Sequence, residues 1–217
     1  MNVTSPSAPT VFIIDDDTSV CRSLSRLVRQ AGMEALTFPS AEDFLQARTG
    51  PFLDPACLVL DLQMPGLGGL ELQRELASDP APCPVIFISG NGDIPSTVRA
   101  MKQGAVTFLT KPFESEDLLM AIGEALERHR ELLASISQIR SIRENIERLT
   151  DREREVMAWV IRGTLNKQIA SELGIAIQTV KVHRGRVMEK MAVVSVAELV
   201  RLCAAAGFEA ADHGTKV

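Results

Sequence analysis

Aromatic side chains make up only 4% of this 217-residue chain. No apolar run approaches the roughly 20 residues that a membrane-spanning helix needs, so no spanning segment is expected. Residues 1–9 are polar and Pro/Ser-containing, without a basic stretch followed by an apolar one, which predicts no export signal. The four cysteines, Cys21, Cys57, Cys83 and Cys203, lack the paired spacing of a zinc site, and Cys57 falls inside a strand-like run. They read as reduced core residues of a cytoplasmic protein. Internal repeats and long low-complexity tracts are also lacking, and no Ser-His-Asp or Cys-His set offers a nucleophile. With 46% apolar and 24% charged residues, the length suits one large or two small domains. Negative charge is concentrated in the first part: residues 1–147 carry 12 Lys/Arg against 20 Asp/Glu, whereas residues 148–217 carry 11 against 8. A polyanion would therefore be met by the second part.

The chain does carry polar residues at the ends of apolar runs. Val11-Phe12-Ile13-Ile14 leads into Asp15-Asp16-Asp17, and Cys57-Leu58-Val59-Leu60 leads into Asp61, followed by Leu62-Gln63-Met64-Pro65-Gly66. Val85-Ile86-Phe87-Ile88 ends in Ser89-Gly90, and Val106-Thr107-Phe108-Leu109-Thr110 ends in Lys111-Pro112. Open parallel sheets bind ligands at the carboxyl ends of their strands, so these residues are expected to converge on one sheet edge. Carboxylates held together repel, and a divalent cation with oxygen ligands, magnesium first among them, relieves that repulsion. A cation beside a nucleophilic carboxylate, a lysine and a small hydroxyl is the equipment for phosphoryl transfer to an aspartate. Asp17 reads instead as an N-cap for the helix that follows.

Strand-like and helix-like stretches alternate five times. Helices are expected near 19–30, after Ser40, near 68–77, near 94–103 and from Glu114 onward, with a short strand at 34–38. Five βα units predict a flavodoxin-like parallel sheet of order 2-1-3-4-5 covered on both faces. The last helix lacks a stop: Leu118 to Leu149 contains no proline, and Leu132, Ile136, Ile139, Ile142, Ile146 and Leu149 form a near-heptad stripe. A long linker helix is expected, facing a partner or packed on its own domains.

Beyond it the pattern is all helical. Thr150-Asp151-Arg152-Glu153 has the form of a capping box, Asn166 is expected to cap a helix over Lys167 to Leu173, and Gly174 turns the chain. A third helix is expected from Thr179 to about Met191, and Ser195 caps a fourth. Two short helices around a glycine turn, the second of them basic, predict a small helix-turn-helix domain. On the third helix Val180, Val187 and Met191 share the core face, while Gln178, Lys181, Val182, Gly185, Arg186 and Glu189 project outward with Arg184 at the flank. Lys181 and Arg186 suit base edges or phosphates, Val182 a thymine methyl, and Lys167 the DNA backbone. With Thr179, these make the candidate DNA-facing set Lys167, Gln178, Thr179, Lys181, Val182, Arg184, Gly185 and Arg186. Gly185 costs roughly 1 kcal/mol of helix propensity relative to alanine, and either permits close approach to DNA or makes no contact. His183 reads as a packed helix residue.

Over residues 9–127 the chain resembles the two-component response regulators, through Asp15-Asp16, Asp61 with Met64-Pro65 and Gly69, Ser89-Gly90, and Lys111-Pro112-Phe113. The resemblance implies Asp61 as phosphoacceptor for a sensor histidine kinase. It also implies a magnesium or manganese site made by Asp16, Asp15 through water, Asp61 and the main-chain carbonyl of Gln63. Lys111 would pair with the phosphoryl group, Ser89 and Phe108 would be the switch pair, and the Lys111–Pro112 bond would be cis. The second part resembles LuxR or NarL-type DNA-binding domains through Leu149-Thr150-x-Arg152-Glu153, Asn166-Lys167-x-Ile169-Ala170 and Thr179-Val180-Lys181-Val182-His183. Gly90-x-Gly92-Asp93-Ile94-Pro95 adds a likeness to the FixJ-like subgroup. The implied organisation is a flexible segment 1–9, a receiver domain 10–127, a linker helix 128–147, a DNA-binding domain 148–208 and a flexible tail 209–217. The implied function is not enzymatic turnover but phosphorylation-controlled transcription, by dimerisation, domain release or both. The partners implied are the kinase, double-stranded promoter DNA, a second copy of the chain and RNA polymerase, with no membrane. Two alternatives are an aspartyl-phosphate phosphatase using Asp15 and a phosphorylation-gated protein-interaction module.

Overall fold

The computed structural model describes residues 8–90 and 94–208. The segments 1–7 and 209–217, expected to be flexible, lie outside the described residues, as do Gly92 and Asp93 of the glycine motif. The chain divides into two compact units, residues 1–134 and 135–217. No helix among the described residues is long and apolar enough to cross a membrane.

The first unit is a five-stranded parallel sheet in the expected order, β2-β1-β3-β4-β5, made by β1 (Thr10–Ile14), β2 (Glu34–Phe38), β3 (Ala56–Asp61), β4 (Val85–Ser89) and β5 (Thr107–Thr110). Between them run α1 (Thr18–Gln30), α2 (Ala41–Ala47), α3 (Gly69–Leu76) and α4 (Ile94–Lys102), and α5 (Ser115–Glu147) follows β5. All six residues of β3 are buried because both faces of the sheet are covered. Cys57 and Val59 join one core with Val28, Leu118 and Ile122, while Leu58 and Leu60 join the other with Phe44, Leu72 and Phe87. The four cysteines are free and buried.

Register fixes what meets at the sheet edge. Leu60 pairs with Ile14 and Asp61 with Ile88, so Asp15 and Asp61 leave neighbouring strands at one level. Ser89 pairs with Thr110, which places Lys111 one residue beyond. The Lys111–Pro112 bond is cis. Asp17 caps α1, its Oδ1 accepting from the Ser19 N–H at 2.7 Å and the Val20 N–H at 3.4 Å.

In the second unit the cores of α6 (Asp151–Ile161), α7 (Asn166–Leu173), α8 (Ile177–Lys190) and α9 (Val196–Ala205) enclose Val156, Met157, Ile169, Val180, Val187 and Leu199. Thr150 and Glu153 form the reciprocal capping box expected of them. Asn166 does not cap α7. Leu165 holds the cap position, its N–H donating to Gln168 Oε1 at 3.1 Å, and Asn166 is the first helical residue. The Asn166 side chain is drawn instead to Arg184, whose guanidinium donates to Oδ1 at 2.9 Å. α8 also starts two residues before the expected Thr179. The apolar stripe of α5 divides: Ile142 and Ile146, with Leu149 just beyond the helix, are buried in this unit's core, whereas Leu132, Ile136 and Ile139 are half-buried.

Gly69 opens α3 directly against β3. A Cβ there would lie 2.5 Å from the Asp61 carbonyl oxygen and 3.0 Å from Phe87 Cε1, both parts of the packed sheet. Gly69→Ala is expected to destabilise the first unit by about 1–3 kcal/mol through overpacking, read as a lowered midpoint in urea denaturation followed by circular dichroism.

Candidate phosphoacceptor pocket and DNA-facing helix

Asp15, Asp16 and Asp61 each place a carboxylate oxygen within 4.8 Å of the others. Asp15 and Asp61 are buried and Asp16 is exposed. Lys111 Nζ donates to Asp15 Oδ2 at 2.6 Å and to Asp61 Oδ1 at 3.4 Å. The other Asp15 oxygen accepts from the Asp17 N–H at 2.9 Å, so both oxygens of Asp15 are engaged, while among the described residues Asp61 has only the longer lysine contact. Burial holds the Asp61 carboxyl above its ordinary range; Lys111 opposes the shift and the neighbouring Asp15 reinforces it. For Lys111 burial pulls downward, but the bonds to Asp15 and Asp61 together outweigh it and the ammonium is held above its ordinary range. One lysine against three acids leaves net negative charge in a cradle of oxygen donors, a set suited to a hard divalent ion.

The remaining pocket residues come from adjoining elements. Ser89 is fully buried at the end of β4, and its carbonyl accepts from the Lys111 N–H at 2.8 Å. Phe108 is half-buried opposite Phe87 on β5, against the core on the α2–α4 side. Gln63 is exposed in the loop that follows Asp61. Sequence reading passed over Glu42 of α2, whose Oε1 accepts from the Leu67 N–H at 2.7 Å and so pins that loop. The contact joins residues 25 positions apart and leaves no local pattern. His129 on α5 was also missed, although the spacing Leu118, Ile122, Ala125, Leu126, His129 places it on the buried helix face; it is fully buried.

In the second unit Gly174 turns the chain between α7 and α8 in the left-handed region, with φ 63° and ψ 37°. Val180, Val187 and Met191 face the core. Lys167, Gln178, Thr179, Lys181, Val182, Gly185 and Arg186 are exposed, and Val182 is 46% exposed despite being apolar. Arg184 is half-buried and its bond to Asn166 ties α8 to α7. A Cβ on Gly185 would meet nothing within 4 Å, so packing inside the protein does not require glycine there. His183 is half-buried, and its Nδ1 has no hydrogen-bond partner among the described residues.

The Response regulator receiver domain family matches residues 11–123, and the Bacterial regulatory proteins, luxR family, matches residues 147–203. The chain belongs to the response regulators. Its second unit is a LuxR-type helix-turn-helix domain. Nodulation protein W of Bradyrhizobium diazoefficiens is 47% identical over 92% of this chain and 87% of its own length. Transcriptional regulatory protein FixJ of Azorhizobium caulinodans is 40% identical over 97% of this chain and 99% of its own. Among solved structures, the response regulator StyR is 47% identical, with a TM-score of 0.80 covering 91% of this chain and 99% of that one. The response regulator is therefore FixJ-like over nearly its whole length.

Within its DNA-facing unit, Lys190 at the end of α8 reaches back to the capping box. Nζ donates to Glu153 Oε2 at 2.6 Å and to the Arg148 carbonyl at 3.2 Å. The Lys190 bond, followed by the Thr150 N–H, lowers the Glu153 pKa from 4.5 to about 2. A carboxyl depressed in the folded state contributes stability that is full above its unfolded pKa and is lost as pH falls through the folded one. The second unit is expected to lose stability between about pH 4.5 and about pH 2. Glu153→Gln should flatten that dependence, measured by urea unfolding at stepped pH with fluorescence of Trp159, the only tryptophan in the chain.

Proposed function

We propose that this response regulator is a phosphorylation-controlled transcription factor in which Asp61 accepts a phosphoryl group from a sensor histidine kinase. The observation that carries the reading is the meeting of Asp15, Asp16, Asp61 and Lys111 at one sheet edge of a chain that also presents a basic recognition helix. Asp61 attacks phosphorus, the P–N bond of the kinase phosphohistidine breaks, and the imidazole leaves with the electron pair. Asp15, Asp16, Asp61 and the Gln63 carbonyl would hold magnesium or manganese, which when bound neutralises charge on the carboxylates and phosphoryl oxygens. Lys111, already beside Asp61, pairs with the added phosphoryl group. Ser89 and Phe108 then shift, and the change passes to the face made by α4, β5 and α5.

The receiver domain is assigned to residues 10–127, the linker to 128–147 and the DNA-binding domain to 148–208. Apolar side chains left open on α4, Val98 and Met101 at 44% exposure each, support dimerisation of phosphorylated receivers. Release of the DNA-binding domain is the other output. Lys181 and Arg186 contact base edges or phosphates, Val182 a thymine methyl, Lys167 the DNA backbone, and Gln178, Thr179, Arg184 and Gly185 border the groove. RNA polymerase is a further partner, and the protein acts in the cytoplasm without turning over a metabolite. Asp15 serves poorly as a phosphatase nucleophile because both its oxygens are bonded and Asp17 is turned to cap α1.

With a small-molecule phosphodonor and magnesium, the wild type should gain one acid-labile phosphoryl group and Asp61→Asn none, measured by intact-protein mass spectrometry. Label that persists in Asp61→Asn and is lost in Asp15→Asn would favour the phosphatase instead. Lys181→Ala and Arg186→Ala should each weaken duplex binding. Where the side chain meets a phosphate, the log–log salt slope should shallow by about 1, measured by fluorescence anisotropy from 50 to 200 mM salt. Salt-independent binding to duplex would oppose the DNA reading and favour a protein partner.

A further inference from the structure

The receiver's share of α5 is held at its outgoing end by one buried histidine. His129 is 0% exposed, and its Nδ1 accepts from the main-chain N–H of Ala56, the first residue of β3, at 3.0 Å. An accepting Nδ1 places the imidazole proton on Nε2, which is buried without a hydrogen-bond partner among the described residues. The Phe52 ring closes the site edge-on, 6.4 Å from the imidazole at 78°. One strand therefore carries Asp61 at its last residue and, at its first, the bond that fixes α5.

We propose that His129 is a proton-sensitive clasp: the neutral imidazole fixes α5 to β3, and protonation opens the bond and loosens the helix from residue 130 onward. A protonated Nδ1 has no lone pair for the Ala56 N–H, so the second proton and the amide hydrogen would meet head-on. The charged side chains carried by the elements around the imidazole do not stabilise its cation. Arg48 lies over the Phe52 ring, 5.2 Å from its centroid, and is paired with Asp79. Asp54 is exposed to solvent, Cys57 and Cys83 are thiols kept neutral by burial, and on α5 Glu127 is paired with Arg130 while Arg128 adds a further positive charge. Burial holds His129 below its ordinary value of 6.5 and outweighs the main chain of Ala81 and Ala56, which acts in the opposite direction. The sign follows: the closed clasp is favoured above the pKa of a free imidazole and weakens as pH falls below it.

The clasp does not require Asp61 to be phosphorylated, so full-length protein without phosphodonor is the sample. Amide exchange, corrected for its intrinsic pH dependence, is followed at Ala56 and residues 130–139 from pH 7.5 to 5.5. In the wild type it should accelerate roughly fivefold between pH 6.5 and 5.5. His129→Asn keeps an acceptor without a titrating ring and should stay flat; His129→Phe should exchange fast at every pH. A flat wild-type profile, or the same rise in His129→Asn, overturns the proposal. If His129→Phe does not fold, the comparison of wild type with His129→Asn still decides.

Discussion

Strand β3 is apolar until its last side chain, and ending a buried strand in a carboxylate is the constraint around which the first unit is arranged. An ionised acid out of water needs a partner, and Lys111, just beyond β5, supplies it only in part because its shorter bond goes to Asp15. The residual negative charge suits the pocket to a divalent cation. Nearby features serve the same placement: Gly69 lets α3 start against the Asp61 carbonyl, and Glu42 holds the loop carrying Gln63.

The sheet was legible because parallel strands covered on both faces are written as continuous apolar runs, and the runs ending at Asp15, Asp61, Ser89 and Lys111 name both the strands and the edge they share. Helix ends were legible where a cap side chain bonds within its own turn, as at Asp17, Ser40, Thr150 and Ser195. Asn166 broke that pattern for a physical reason. Its preference for a cap position is a local tendency, and the charge-assisted bond from Arg184, eighteen residues away, overrides it while Gln168 serves the free N–H. Glu42 and His129 escaped notice because their partners lie 25 and 73 residues away.

The outward surface of α8 is written less directly in the sequence. Its core residues follow helical periodicity closely enough to orient α8 from sequence, and the outward positions then follow by rotation. Which outward side chains read bases is a property of a complex with DNA, and periodicity does not sort them. Arg184 illustrates this: it lies on the flank of the exposed face, yet its guanidinium already braces α7.

The divided stripe of α5 bears on how the protein can be taken apart. The luxR-family match begins at residue 147, but Ile142, Ile146 and Leu149 are buried in the second unit's core together with Val156 and Leu199. A fragment starting at 148 would lack two of those side chains and expose the apolar surface they cover, each such loss amounting to about 2–5 kcal/mol. The smallest piece able to keep its packing therefore begins before Ile142. By this measure the last two turns of the linker helix are the first element of the DNA-binding fold.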